Sequence, residues 1–566
     1  MSDRTLYTPS RRGKVQAWGR SPEEGTEKWE REMSCGQTAS SPVPRCSPQA
    51  AVAREDSGGS QRVLLRGIFA VGKQSCDVQL TESRLVWRPI LPERPLGEDL
   101  NLNHQQKEEF LDLKDMFAVK MKRRCCAGKH KGGTLLGITI FICLRKGHNK
   151  LKDSAIDLGN TSEDHCDVWF KKLKEILNGF PHRPKYLKII INPHSHKREA
   201  TSVYSEEVEP LFKLADIQTD VTITEYEGHA LCLLKEFNLQ EFDGVVCVGG
   251  DGFTNEVAHG LLLRAQLDAR GSTGSVFNPV KASLPLGIIP AGSTNITAYT
   301  LHGVKHPVTA ALHIIMGHFQ PVDVCTFSTN DRLLRFGFSS MFGFGSRALA
   351  LAEKNRWMPS SQRRDFAVLR TLAKLKSENC TLSFLTVSST PQVSKPDKRK
   401  KKNEQIHKVD NSEQWQSMKG NFLNVSIMAI PCLCSMAPRG LAPNTKLNDG
   451  TMALIVVRNT SHAEFVKHLK RYASFQNQFD FSFVETYSVQ EVKLCPSTNG
   501  VCERDYEGGN KDLQALSTEA IFPWNVDGDL MEVASEVHIR LHPQLINLYG
   551  GIIEELEESK IKCSCL

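Results

Sequence analysis

The chain has 566 residues, 40% hydrophobic and 24% charged, with a net charge of +7. That balance builds buried cores and excludes a wholly disordered chain. The charge is too mild for this length to imply nucleic acid as the partner, and the length leaves room for several domains. The 17 cysteines are scattered without paired C-x-x-C spacing, so they read as reduced thiols in a reducing compartment rather than as zinc ligands or disulfides.

Residues 1–60 carry Ser, Pro, Gly and mixed charge without periodicity or an apolar leader, which predicts a disordered tail and no secretory signal. From 61 onward short apolar runs recur: VLLRGIFAV, LVWRPI, FLDLKDMFAVKMK and TLLGITIFICL. The longest, LLGITIFICL at 135–144, is about half a membrane span and rich in β-branched residues, so it reads as a strand. EDHCDVWFKKLKEIL at 163–177 then sets Val168, Trp169, Leu173, Ile176 and Leu177 at helical spacing. Strands closed by one Trp-bearing amphipathic helix resemble a pleckstrin-homology domain, assigned to 61–178.

After the linker GFPHRPK the period changes. YLKIIINP, DVTITEY, FDGVVCVGG and PLGIIPAG read as strands. VYSEEVEPLFKLA, HALCLLKEF, residues 253–267 and PVTAALHIIMG read as the helices between them. Alternation of this kind predicts a parallel α/β sheet with covered faces over 183–330. Beyond it, strands such as NFLNVSIMAI, MALIVVR and EVHIRLH predict a β-sandwich-like second lobe over 331–555. Its inserts 387–415 and 495–520 read as solvated loops, and 556–566 as a tail.

Residues 245–256 read VVCVGGDGFTNE. A strand delivered into Gly-Gly-Asp-Gly and then a helix is a phosphate-binding geometry: glycines let the backbone approach an anion, and the helix start offers free N–H groups. Gly-rich turns also serve tight packing alone. A second strand–turn–helix, IIPAGSTN at 288–295, lets two turns at one sheet edge face one ligand. Neither turn is a P-loop or G-x-G-x-x-G.

VCVGGDGFTNEVAHGLLLRAQ and LPLGIIPAGSTN resemble the diacylglycerol kinase-like lipid kinases, on the ceramide kinase branch. INPHSHK (191–197), AEKNRW with RRDF (352–366), APRGLAP (437–443), NDG (448–450) and FPWNVDGD (522–529) extend the match over roughly 62–555. The resemblance implies an ATP cleft between an α/β lobe and a β-rich lobe. Asn192, Gly249, Gly250, Gly252, Gly292, Ser293 and Thr294 would hold the nucleotide. Glu256 would contact it, Arg356 and Arg363 would reach its phosphates, and Asp527 and Gly528 would close over it. Asp251 would accept the proton of the lipid hydroxyl, with Mg²⁺ and the arginines on the phosphates.

Three departures stand against that pattern. The turn after Asn192-Pro193, glycine-rich in active relatives, is His194, Ser195, His196, Lys197 and Arg198; side chains there restrict positive φ and crowd a phosphate. Ala453 stands where the family often carries a further carboxylate. Ser346–Ala352 lacks the acids that relatives place near the lipid headgroup and carries Arg347 instead, which changes an acceptor into a donor.

KMKRR (120–124) and KPDKRKKK (395–402) read as anionic-headgroup or nuclear-import segments, or as solvated faces. Cys563-Ser564-Cys565-Leu566 loosely fits a prenylation box. The altered turn, Ala453 and Arg347 weigh toward a protein that binds a ceramide-like lipid, a nucleotide or both, with weak or lost turnover. Retained Asp251 and Glu256 keep an active ATP-dependent lipid kinase as the alternative. Expected partners are membrane lipids, met peripherally, and nuclear import machinery. The expected locations are cytoplasm, nucleus and Golgi or ER membranes.

Overall fold

The computed structural model describes residues 62–90, 108–124, 133–195, 197–269, 278–329, 332–387, 415–497 and 521–553. The tail 1–60, the lysine run 395–402, most of both inserts, His196 and Cys563–Leu566 lie outside the described residues. The chain divides into two compact units, one of 1–111, 120–139 and 157–171, the other of 112–119, 140–156 and 172–566.

The N-terminal strands are β1 (Val63–Val71), β2 (Gln74–Thr81), β3 (Arg84–Pro89), β4 (Glu109–Asp112), β5 (Met116–Arg124), β6 (Thr134–Arg145) and β7 (Leu151–Gly159), followed by α1 (Glu163–Asn178). They form one sheet in the order β4-β3-β2-β1-β7-β6-β5. Trp169 of α1 meets Phe69 of β1 edge-on at 5.0 Å, and Cys166, Trp169 and Leu173 are buried. Val168, expected on that face, is 53% exposed. Val168 lies on the flank of that face, about 100° round the helix from Trp169 and about 140° from Leu173. KMKRR is less free than expected: Lys122 bonds Asp157 at 2.6 Å, and Arg123 grips Glu163 through two bonds of 2.7 Å.

The second unit opens with β8 (Tyr186–Ile191), a helical run α2 (200–214) with a π-helical segment Val203–Val208, β9 (Gln218–Ile223), α3 (His229–Glu236), β10 (Gly244–Gly249), α4 (Asp251–Asp268), β11 (Leu286–Pro290), α5 (Ile296–His302) and α6 (Pro307–Ile315). The parallel order is β11-β10-β8-β9. Every residue of β10 is buried, as expected of a strand covered on both faces. Successive side chains serve opposite cores. Val245 and Cys247 pack with α3 and α4, Val246 and Val248 with α2 and α6.

Next come β12 (Phe319–Thr329), β13 (Arg332–Gly337), β14 (Ser339–Gly343), α7 (Phe344–Lys354), α8 (Ser360–Ala373), β15 (Glu378–Thr386), β16 (Trp415–Met428), β17 (Met452–Arg458), α9 (His462–Arg471), β18 (Val484–Pro496), β19 (Phe522–Val526), β20 (Asp529–Val533) and β21 (Val537–Tyr549). The long strands bend and change partners: β16 pairs β15 in its first half and β14 and β17 in its second. Phe327, Phe342, Phe384 and Trp524 fill the interior. The last strand, β21, pairs antiparallel with β12 and β18 and meets β11 in parallel at Leu548. It thereby joins the β-rich lobe to the α/β lobe.

Candidate functional site

Both glycine turns leave the same edge of the parallel sheet. β10 ends at Gly249, Gly250 caps α4 in an extended conformation, and α4 begins at Asp251. β11 ends at Pro290, and Asn295, in the left-handed region at φ 55°, starts α5. The Asn295 amide closes its own turn: it accepts from the Gly292 N–H and donates to the Gly292 carbonyl, both at 2.8 Å. The two turns are in backbone contact. A Cβ on Gly250 would stand 3.2 Å from the Gly292 Cα, and one on Gly292 would overlap Gly250. Glycine is required at both by close approach.

Two cavities flank these turns. The first, about 560 Å³, is lined by Asn192, Thr224, Glu256, Arg335, Arg356 and Asp529 among others. The second, about 430 Å³, has a polar end at Gly250, Asp251, Gly292, Ser293, Thr294, Arg363, Arg364, Asp527 and Gly528. Its other wall is apolar, from Met341, Leu349, Met428, Ile430 and Leu441. Gly252 lines both. The expected residues therefore divide: Asn192, Glu256 and Arg356 face the first cavity, and most of the rest face the second. Gly249 lies beneath them, where a Cβ would strike the Phe253 ring and approach the Ser195 hydroxyl at 3.1 Å.

Asp251 stands in the second cavity at its polar end. One carboxylate oxygen accepts the Thr297 N–H at 3.1 Å, at the start of α5. Burial raises its pKa, opposed by the backbone N–H groups at the start of α5 and by Lys305. The Lys305 ammonium in turn bonds the Gly292 carbonyl. Asp527 is differently employed. Its carboxylate accepts the Phe338 N–H at 2.8 Å, the Ser339 N–H at 2.7 Å and the Ser339 hydroxyl at 2.9 Å. Asn255 of α4 bonds its carbonyl at 2.9 Å. Burial pushes the Asp527 carboxyl up to about 6. This side chain braces the late loop against the β13–β14 corner and α4.

Both arginines of the first cavity are already paired. Arg356 bonds Glu353 and lies 3.7 Å from Glu227, while Arg335 bonds Asp529 at 2.6 Å. Burial raises the Glu256 carboxyl, and its Oε1 is buried without a hydrogen-bond partner. Arg335, Asp529, Lys305 and Arg364, which bonds the Thr294 hydroxyl at 2.6 Å, were not singled out by sequence. Arg364 adjoins Arg363 and Asp529 closes the FPWNVDGD run, so both carried a local signal. Arg335 and Lys305 carried none.

The departures resolve unequally. After Asn192 the chain makes a tight turn, with the Asn192 Oδ1 accepting the His194 N–H at 2.9 Å. Ser195 is tucked against Gly249, and His194 is the side chain that lines the cavity. Arg198 takes the positive φ, 65°. Arg347 does not line the second cavity: it pairs with Glu378 at 2.6 Å and donates to the Lys376 carbonyl. At about 100° per residue, Leu349, Ala352 and Glu353 occupy the opposite side of α7 and line the cavity in its place. Ala453 lies on β17 between Met428 and Ser488 and packs on the apolar core.

Three family models match the chain: the ceramide kinase PH domain over 65–173, the diacylglycerol kinase catalytic domain over 186–327 and the ceramide kinase C-terminal domain over 338–566. The human ceramide kinase-like protein is 60% identical over 526 residues, covering 88% of this chain and 92% of that one. Human ceramide kinase is 33% identical over 467 residues, covering 76% and 86%. A putative diacylglycerol kinase from Bacillus anthracis aligns at 17% identity with a TM-score of 0.44, over 66% of this chain and 98% of that one.

Proposed function

The chain belongs to the ceramide kinase family, and from that premise we propose that it binds ATP in the first cavity and a ceramide-like lipid in the second, with weak or lost phosphoryl transfer. The observation that carries this reading is the pairing of both arginines in the first cavity with carboxylates. Phosphoryl transfer is almost wholly positioning and charge stabilisation. Cations already neutralised by Glu227, Glu353 and Asp529 stabilise a transferring phosphoryl group less than free ones.

The residues fit a nucleotide. Gly250 and Gly292 present bare backbone at the mouth of the second cavity, beside Gly252, where the two cavities meet. Mg²⁺ would neutralise phosphate oxygens. Among the described residues no group of three or more His, Cys, Asp or Glu is placed to hold a metal, so the ion would be held largely by the phosphates, with the carboxylates Glu227, Glu256 and Asp529 lining the same cavity. The lipid hydroxyl would meet Asp251, and its chain would lie along Met341, Leu349, Met428 and Ile430. The Thr297 N–H orients the Asp251 carboxylate, and burial raises its basicity. That favourable placement supports the second reading, an active ATP-dependent lipid kinase.

Peripheral membrane contact through the N-terminal domain belongs to the same proposal, as do nuclear and Golgi or ER pools. Among the described residues no helix is long and apolar enough to cross a membrane. Thermal melting of the full chain tests the binding reading. ATP with Mg²⁺ is expected to raise the melting temperature in proportion to the logarithm of its concentration above Kd. A melting temperature indifferent to millimolar ATP would remove the nucleotide from the proposal.

A further inference from the structure

We propose that Arg335 is a phosphate-binding residue of this chain, set at the crossing between the two cavities and held in reserve by Asp529; the proposal rests on the nucleotide reading above. Transfer requires the terminal phosphate to pass from the first cavity to the Asp251 side, and Gly252 is the residue that lines both. A Cβ on Gly252 would lie 2.9 Å from the Asp529 carboxylate. The Asp529–Arg335 pair therefore stands at the passage itself.

Arg335 is under-used where it stands. Its side chain is 15% exposed and meets Asp529 at 2.6 Å, yet its Nε is buried with no acceptor. A guanidinium carries five N–H donors in a fork shaped for phosphate or carboxylate oxygens. A buried donor left unmade is costly, and a phosphate oxygen would satisfy it. The neighbouring His259 does not compete for the anion. Burial, then Arg335, hold its pKa down to about 4, and its ring accepts the Phe336 N–H at 3.2 Å. Arg356 sits in a different place, 63% exposed and tied to Glu353 and Glu227. Arg335 is thus the enclosed cation of this cavity.

The pairing also sets the direction of each variant. An arriving phosphate must share Arg335 with Asp529, so the carboxylate weakens anion binding and removing its charge strengthens it. A merely structural strut between β13 and β20 would behave otherwise: losing either partner would weaken the fold and every ligand alike.

The test is calorimetric titration of the full chain with adenosine, ADP and ATP, the nucleotides with Mg²⁺. Arg335→Gln is expected to lower ADP and ATP affinity at least tenfold and leave adenosine within twofold. Arg335→Lys, which keeps the charge and the contact with Asp529, should retain part of the ATP affinity. Asp529→Asn is expected to raise it severalfold. Equal loss for adenosine and ATP in Arg335→Gln, unchanged ATP binding there, or weaker ATP binding in Asp529→Asn would each overturn the assignment. Should Arg335→Gln fail to fold, the Arg335→Lys and Asp529→Asn titrations decide alone. A parent chain that binds none of the three ligands would instead remove the nucleotide reading, and this proposal with it.

Discussion

Asp527 is the side chain whose role changes most between sequence and structure. Sequence resemblance puts it in a loop over the nucleotide; it does line the second cavity, and three donors also make it a brace. Its folded pKa, about 6, lies above the value near 3.9 of an unfolded chain. The folded state therefore holds the extra proton between about pH 4 and 6, and stability falls as pH rises through that window, by roughly 3 kcal/mol in all. Asp527→Asn loses an acceptor, which costs about 1–3 kcal/mol, but it also loses the slope. Melting curves from pH 4 to 7 should show the variant's deficit shrinking as pH rises; a constant deficit would contradict the linkage. Arg347 teaches the same lesson about single residues. Its identity is legible in the sequence, whereas the face it occupies is fixed by Glu378 on β15.

At the scale of elements, the two glycine turns were legible because their signals are local. A β-branched run, a glycine cluster and a helix start follow one another within a few residues, and sheet alternation places both at one edge. Backbone contact between Gly250 and Gly292 was not legible, since it depends on how β10 and β11 pair. Gly292→Ala tests that contact. The added Cβ meets backbone that cannot swing aside, so the turn must open. ATP affinity should fall at least tenfold, beyond the fall in melting temperature of the unliganded chain that the backbone clash itself brings. An unaltered affinity would show that the turn does not carry the phosphate. The helices α7 and α8 were the larger miss. They interrupt a strand-rich region: α7 turns Leu349 and Ala352 to the second cavity, whereas α8 sends Arg363 and Arg364 there and packs Val368 and Leu372 on the core.

For the whole molecule, the order of domains was readable from the change of period along the chain, because each core imposes its own spacing. The connection made by β21 was not, since it joins the last strand to the middle of the sequence. The charge pattern of the N-terminal domain was legible only in part. KMKRR is basic in sequence, but Lys122 and Arg123 are paired with Asp157 and Glu163. Surface pairs of this kind contribute about 0–1 kcal/mol, so they mask the rim more than they stabilise it. Glu163→Gln should therefore strengthen binding of the full chain to anionic vesicles in flotation, an increase that added salt removes. Binding unchanged by the substitution would move the membrane contact away from this rim.

The central claim joins an intact pair of cavities to weak transfer, and one measurement addresses it directly. Labelled ATP is offered to the full chain with ceramide and a panel of related lipid alcohols, and phosphate on lipid is counted beside the Asp251→Asn variant. General-base catalysis contributes about 10²–10⁴-fold, so a working Asp251 would separate the two chains plainly. The account predicts transfer by the parent at or near that of Asp251→Asn on every lipid. Robust transfer by the parent that Asp251→Asn abolishes would contradict it and establish the lipid kinase reading instead.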